Sequence, residues 1–184
     1  MTTTIVLDNL NSKDPKVKYG YAKELLKIGA TKPEMLYDHF DEFLKLLSSS
    51  NNILKWTGID LIGYLSSIDK DNKSDSTIEI LLEFLHCGHL ITCNHAIFAL
   101  GKIAEKKPEQ RKEIIDEFLK IQNDMFDTLE CKNIAIGKVI DAIKPFSTEI
   151  RNNEKVINFI EAATTNDRIS TKKKATQLLK RIRI

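Results

Sequence analysis

The feature that most constrains this chain is a motif that returns five times: a small residue followed four places later by an aliphatic one. It reads Ala22 with Leu26, Gly58 with Ile62, Ala96 with Leu100, Ala135 with Val139, and Ala175 with Leu179, and the anchors stand 36, 38, 39 and 40 residues apart. A fixed period in this range marks a stacked architecture rather than a single folded core. The third position after the anchor is apolar in Leu25, Leu61, Ala99 and Leu178, with Lys138 the exception. The seventh is apolar in Leu65, Ile103, Ala142 and Ile182, with Gly29 the exception. Positions 0, 3, 4 and 7 form one stripe of an α-helix, and a small residue on that stripe lets a neighbouring helix come close.

A second series falls between the anchors, in which Phe follows Glu or Asn and precedes Leu or Ile: Phe43, Phe84, Phe118 and Phe159. Each unit is then an anchor helix followed by a Phe helix. One such hairpin cannot cover its own apolar stripe, so the hairpins must shelter one another. Asp14 and Pro15 suit the opening of the first helix, and Pro33 and Pro108 suit the first turns of Phe helices. The run DKDNKSDS at 69–76 reads as a polar connector. The predicted helices are nine, at about 14–29, 33–48, 52–68, 75–87, 90–107, 109–123, 128–144, 149–164 and 168–183.

Length and composition agree with this reading. With 184 residues, 42% of them hydrophobic and 29% charged, the chain is expected to form one domain from residue 14 to 184 behind a short segment, 1–13. No apolar run reaches the roughly 18 residues a membrane span needs, and the first residues lack a secretory layout. The expectation is a cytoplasmic protein without membrane contact. Three unevenly spaced cysteines, Cys87, Cys93 and Cys131, fit reduced thiols better than a disulfide framework.

Residues 14–28, DPKVKYGYAKELLKI, and 96–103, AIFALGKI, resemble the second helix of a HEAT repeat, with Lys18 where that family usually has Arg. The likeness extends over about residues 14–184. It implies an all-α, right-handed α-solenoid of stacked antiparallel helix hairpins, HEAT-like or armadillo-like, that serves as a scaffold or adaptor. It also implies that the anchor helices line the concave face.

Two residues before and after each anchor lie on the side away from the stripe, and there Trp56, Asp60, Asn94, Phe98 and Asn133 are the expected contacts for a protein or peptide partner. Trp56 and Phe98 either face that groove or pack sideways against the next repeat. A nucleic-acid interface is the alternative. Residues 166–184 carry seven basic residues against Asp167 alone, leaving 21 basic and 25 acidic residues elsewhere, and Lys172, Lys173, Lys180, Arg181 and Arg183 would be its phosphate contacts. The same residues suit a helix C-terminus and a polar cap on the last repeat, which is the expected role.

The stretch HCGHLITCNH gathers His86, Cys87, His89, Cys93 and His95, side chains of the type that bind zinc. Their spacing matches no standard ligand pairing and no second pair lies elsewhere, so neither metal nor cofactor is expected. Trp56 and Asp60, one turn apart, are similar to a pair in the HEAT-like alkylpurine DNA glycosylases, but no other Trp occurs and no Arg occupies the equivalent ridge positions. No phosphate loop, nucleophile elbow or zinc-protease helix occurs either, and His39 beside Phe40 reads as packed or solvated. The expectation is therefore a protein that is not an enzyme. Partner identity and oligomeric state are open.

Overall fold

A computed structural model describes residues 5–183. Among them there is no strand, and the chain is a succession of helices: α1 (Pro15–Thr31), α2 (Phe40–Leu46), α3 (Asn52–Leu65), α4 (Ile78–Leu85), α5 (Leu90–Lys106), α6 (Pro108–Lys120), α7 (Leu129–Ile143), α8 (Glu154–Ala163) and α9 (Ile169–Ile182). A single helical turn, Ser147–Ile150, precedes α8. Two compact units divide the chain, one ending at Glu79 and the other beginning at Ile80.

Side-chain caps explain several helix starts. Asp14 accepts from the Lys16 amide at 2.8 Å, Asn51 from Leu54 at 3.2 Å, Thr128 from Cys131 at 3.1 Å and Asn153 from Lys155 at 3.1 Å. Each satisfies one of the amides a helix leaves unpaired at its first turn.

Two expected helices are shorter than their patterns. The segment from residue 33 opens as 3-10 turns, Pro33–Met35 and Tyr37–His39, closed by Leu36 N–H to Pro33 C=O and His39 N–H to Leu36 C=O, so α2 starts only at Phe40. The segment expected at 149–164 is broken where Asn153 begins a new helix with its own cap. Ahead of α1, Leu7–Asn11 forms a 3-10 helix packed on α1, with Leu10 buried and the Val6 amide donating to the Tyr21 hydroxyl.

In the first unit α3 packs against both α1 and α2. Gly58 sits at the tightest point, where an added Cβ would stand 2.7 Å from the Leu46 Cβ and 2.9 Å from the Phe43 carbonyl oxygen. The connector after α3 is folded onto Asp69. That carboxylate accepts from the Tyr37 hydroxyl at 2.7 Å, the Lys73 amide at 3.0 Å and the Ser74 amide at 2.8 Å. Burial alone would push the Asp69 carboxyl up, but these donors and the Ser74 hydroxyl outweigh it and hold its pKa at about 2. Tyr37 is half-buried beside the same carboxylate, and partial desolvation with its hydrogen bond to Asp69 raises it to about 12.

In the second unit α5, α7 and α9 lie side by side, with α6 against α5 and α8 against α9. Contacts that advance together along both helices show that α7 and α9 run parallel: Glu130 meets Arg168, Asn133 meets Thr171, and Gly137 meets Lys174. All five anchors, Ala22, Gly58, Ala96, Ala135 and Ala175, are buried, as are Phe43, Phe118 and Phe159. Phe84 is half-buried.

Candidate functional site

A concave site within the second unit lies between α5 and α7. It is a cleft of about 260 Å³ lined by Asn94, Phe98, Gly101, Lys102, Lys138 and Asp141 among others. Its form follows from the repeat. Gly101 brings α5 close to α7, since a Cβ there would stand 3.3 Å from the Ala142 Cβ. Lys138, which interrupts the apolar stripe of α7, is exposed at the cleft. Phe98 forms a half-buried apolar wall, and Lys102 pairs with Glu105 at 3.1 Å on the rim. The Asn94 carboxamide oxygen is shielded from solvent and has no hydrogen-bond partner among the described residues.

Of the expected ridge residues, Asn94 and Phe98 therefore meet at one site. Trp56 and Asp60 are half-buried on α3, in the other unit, where burial, reinforced by the Asp60 charge, raises the Tyr64 pKa. Asn133 is only 6% exposed and is used inside the fold. Its Oδ1 accepts from Asn166 Nδ2 at 2.8 Å, while its carbonyl accepts from the Thr171 hydroxyl at 2.8 Å. Gly137, one turn on, makes room for Thr171: a Cβ at 137 would lie 2.5 Å from the Thr171 Oγ1.

The basic residues of α9 and its approach are divided. Arg168 pairs with Glu130, Lys174 with Asp141 at 2.6 Å, and Arg183 with Glu161. Lys172, Lys173, Lys180 and Arg181 are exposed.

The His and Cys side chains of residues 86–95 are drawn to different tasks. His86 lies between carboxylates, with Nδ1 2.7 Å from Asp124 and Nε2 3.4 Å from Glu117. Cys93 is buried in the α5 stripe, and burial, reinforced by Cys87 and Asp124, pushes its thiol up to about 12. Cys87 reaches the His89 carbonyl at 3.8 Å, and His95 is half-buried on α5. Among the described residues no three His, Cys, Asp or Glu side chains are grouped so as to hold a metal.

What the sequence reading missed is a set of aliphatic side chains left outside the core at the starts of the anchor helices: Val17, Ile53, Ile91, Leu129 and Ile169. A signal was present, because each stands five or six places before its anchor, one turn ahead of the stripe.

The architecture is an all-α helical-repeat fold of the HEAT/armadillo type, built from stacked antiparallel hairpins. No protein-family model matches the sequence, and no curated protein matches it. Among solved structures it is similar to two engineered proteins, each with a TM-score of 0.53. They are 15% and 16% identical to it; the alignments cover 96% of this chain and 94% and 96% of theirs. At such identity they share the fold and nothing more specific. A designed armadillo repeat protein aligns over 96% of this chain and 98% of its own, with 14% identity and a TM-score of 0.41. No helix among the described residues is long and apolar enough to cross a membrane.

Proposed function

We propose that the protein is a non-catalytic interaction module, and that the α5–α7 cleft holds an extended peptide segment of a protein partner. The observation that carries this reading is the Asn94 carboxamide oxygen beside the half-buried Phe98, a polar acceptor without a partner next to an apolar wall. Leaving such a group unpaired costs about 1–3 kcal/mol, and a peptide N–H placed in the cleft would recover it. The carboxamide torsion is broad, so turning the oxygen towards a ligand is cheap. Phe98 would contribute apolar contact, and the charges of Lys102, Lys138 and Asp141 would select the flanking side chains. The preformed cleft would spare the ordering entropy that a flexible loop loses on binding.

The nucleic-acid reading has less support, because Arg168, Lys174 and Arg183 are already ion-paired within the fold. Nothing beyond the spacing of Trp56 and Asp60 supports base excision.

The test places a photo-crosslinking amino acid at position 138, exposed at the cleft, in the full chain and maps the peptide it captures from the source-cell lysate. The same capture is repeated with Asn94→Ala and Phe98→Ala. Loss of a central contact of this kind weakens binding by about 30-fold. Undiminished capture by both variants would sink the proposal.

A further inference from the structure

The anchor helices of the second unit carry an imbalance of charge that the fold does not use. Their carboxylates are Glu105 on α5 and Glu130 and Asp141 on α7, with none on α9. Each is already in an ion pair: Glu105 with Lys102 at 3.1 Å, Asp141 with Lys174 at 2.6 Å, and Glu130 with Arg168. Lys138, Lys144 and Arg181 are exposed and have no such partner among the described residues. Lys138 lines the α5–α7 cleft, while Lys144 and Arg181 line a second depression, between α7 and α9, that meets the first at Asp141. Asn133 meets Thr171 and Gly137 meets Lys174, offsets of 38 and 37, so Lys144 and Arg181, also 37 apart, stand level with one another. These two lie at helix C-termini, where a cation is favoured in any case. Lys138 has no such reason. It stands in the middle of α7, at a stripe position that is apolar in the other anchor helices.

Resting on the reading that the α5–α7 cleft holds an extended peptide, we propose that this peptide is acidic and continues onto α9. An apolar side chain lies against Phe98, one carboxylate lies on Lys138, and further carboxylates lie on Lys144 and Arg181. Packed helices are about 8–10 Å apart and an extended chain advances about 3.3 Å per residue, so the step from the first depression to the second takes about three residues. With every carboxylate of these helices already neutralised, the charge left over is positive, and an acidic segment is its complement. A nucleic acid fits less well. Its phosphate backbone brings no donor to Asn94 and would carry charge past Asp141, which is exposed where the depressions meet. A peptide supplies the N–H and places charge only at chosen side chains.

The probes are labelled peptides with one Leu and a run of Glu in a Gly-Ser background, made in both orders because the direction of the bound chain is open, and followed by fluorescence anisotropy with the full chain. One order is expected to bind, with at least about fivefold loss when every Glu of the probe is replaced by Gln. The combined variant Lys138→Gln, Lys144→Gln and Arg181→Gln should abolish that preference, so that the Glu and Gln probes bind alike. Lys112→Gln, Lys120→Gln and Lys155→Gln together remove the same charge from the groove between α6 and α8 and should preserve it. All six side chains are exposed, and thermal melting by circular dichroism should place both variants with the parent chain. Equal binding of the Glu and Gln probes, or a Glu preference that survives the first variant, overturns the proposal, and the cleft reading still stands if Phe98→Ala weakens both probes. Affinity that Phe98→Ala leaves unchanged overturns the cleft reading itself, and this inference with it. Failure of every probe to bind while position 138 still captures a peptide overturns the acidic assignment alone. Displacement of the probe by oligothymidylate, lost in the first variant, would assign the cations to nucleic acid and equally overturn the proposal.

Discussion

The two ends of the helices in the second unit are built on opposite terms. At the end that holds the α5–α6 and α7–α8 connections, apolar residues are covered: Phe146 and Ile150 are 4% and 3% exposed. Arg111 closes that end. Its guanidinium stacks 4.7 Å over the Phe146 ring, donates to the Ala104 carbonyl at 2.8 Å and pairs with Glu149 at 2.6 Å. One side chain thus satisfies the C-terminal carbonyls of α5 and shields the aromatic of the next connection. At the other end Ile91, Leu129 and Ile169 are 52%, 64% and 69% exposed, and among the described residues no comparable side chain covers them. The difference teaches that the exposed row is not what a turn in this array must look like, since the same chain seals its other turns.

The comparison is broken most directly at Phe146. Phe146→Ala removes a covered aromatic and leaves Arg111 without its stacking partner, so a loss of about 3–5 kcal/mol is expected in chemical denaturation. A loss below 1 kcal/mol would mean the sealed end contributes no more than an open one. Arg111→Ala tests the closing residue itself. Charge-assisted hydrogen bonds of this type are worth about 1.5–3 kcal/mol, and a drop of about that size is expected, with Arg111→Lys recovering little because an ammonium cannot donate to Ala104 and Glu149 in the same plane.

Much of the stacked frame was legible because its signals are local and periodic. Ala22, Gly58, Ala96, Ala135 and Ala175 are all buried, and Phe43, Phe118 and Phe159 fill the core between them. The chain divides into two compact units, at Glu79 and Ile80, a division that hydrophobic period alone does not register. Asn133 looked like a contact residue because it sits at the ridge position of α7. Its partners Asn166 and Thr171 lie 33 and 38 residues away, a distance over which a helical wheel is blind. Lys138 looked like a flaw in the stripe and turns out to be exposed at the cleft. The open row went unread for a related reason: an aliphatic in the first turn of an amphipathic helix has the same appearance whether the next turn covers it or not.

The smallest expected effect sharpens the contrast from the open side. Leu129→Ala removes three carbons, two of them methyl groups, the same kind of truncation that costs several kcal/mol in a core, yet its side chain is 64% exposed at the first residue of α7. Little burial is lost and no cavity is formed, and alanine is at least as good a helix former as leucine, so a change within about 0.5 kcal/mol is expected in the same denaturation experiment. A cost above about 1.5 kcal/mol would show that Leu129 is covered in solution, by a neighbouring turn or by a second molecule. Repeating the measurement over a hundredfold range of protein concentration separates these. A cost due to a second copy grows with concentration, whereas one due to the chain's own turns does not.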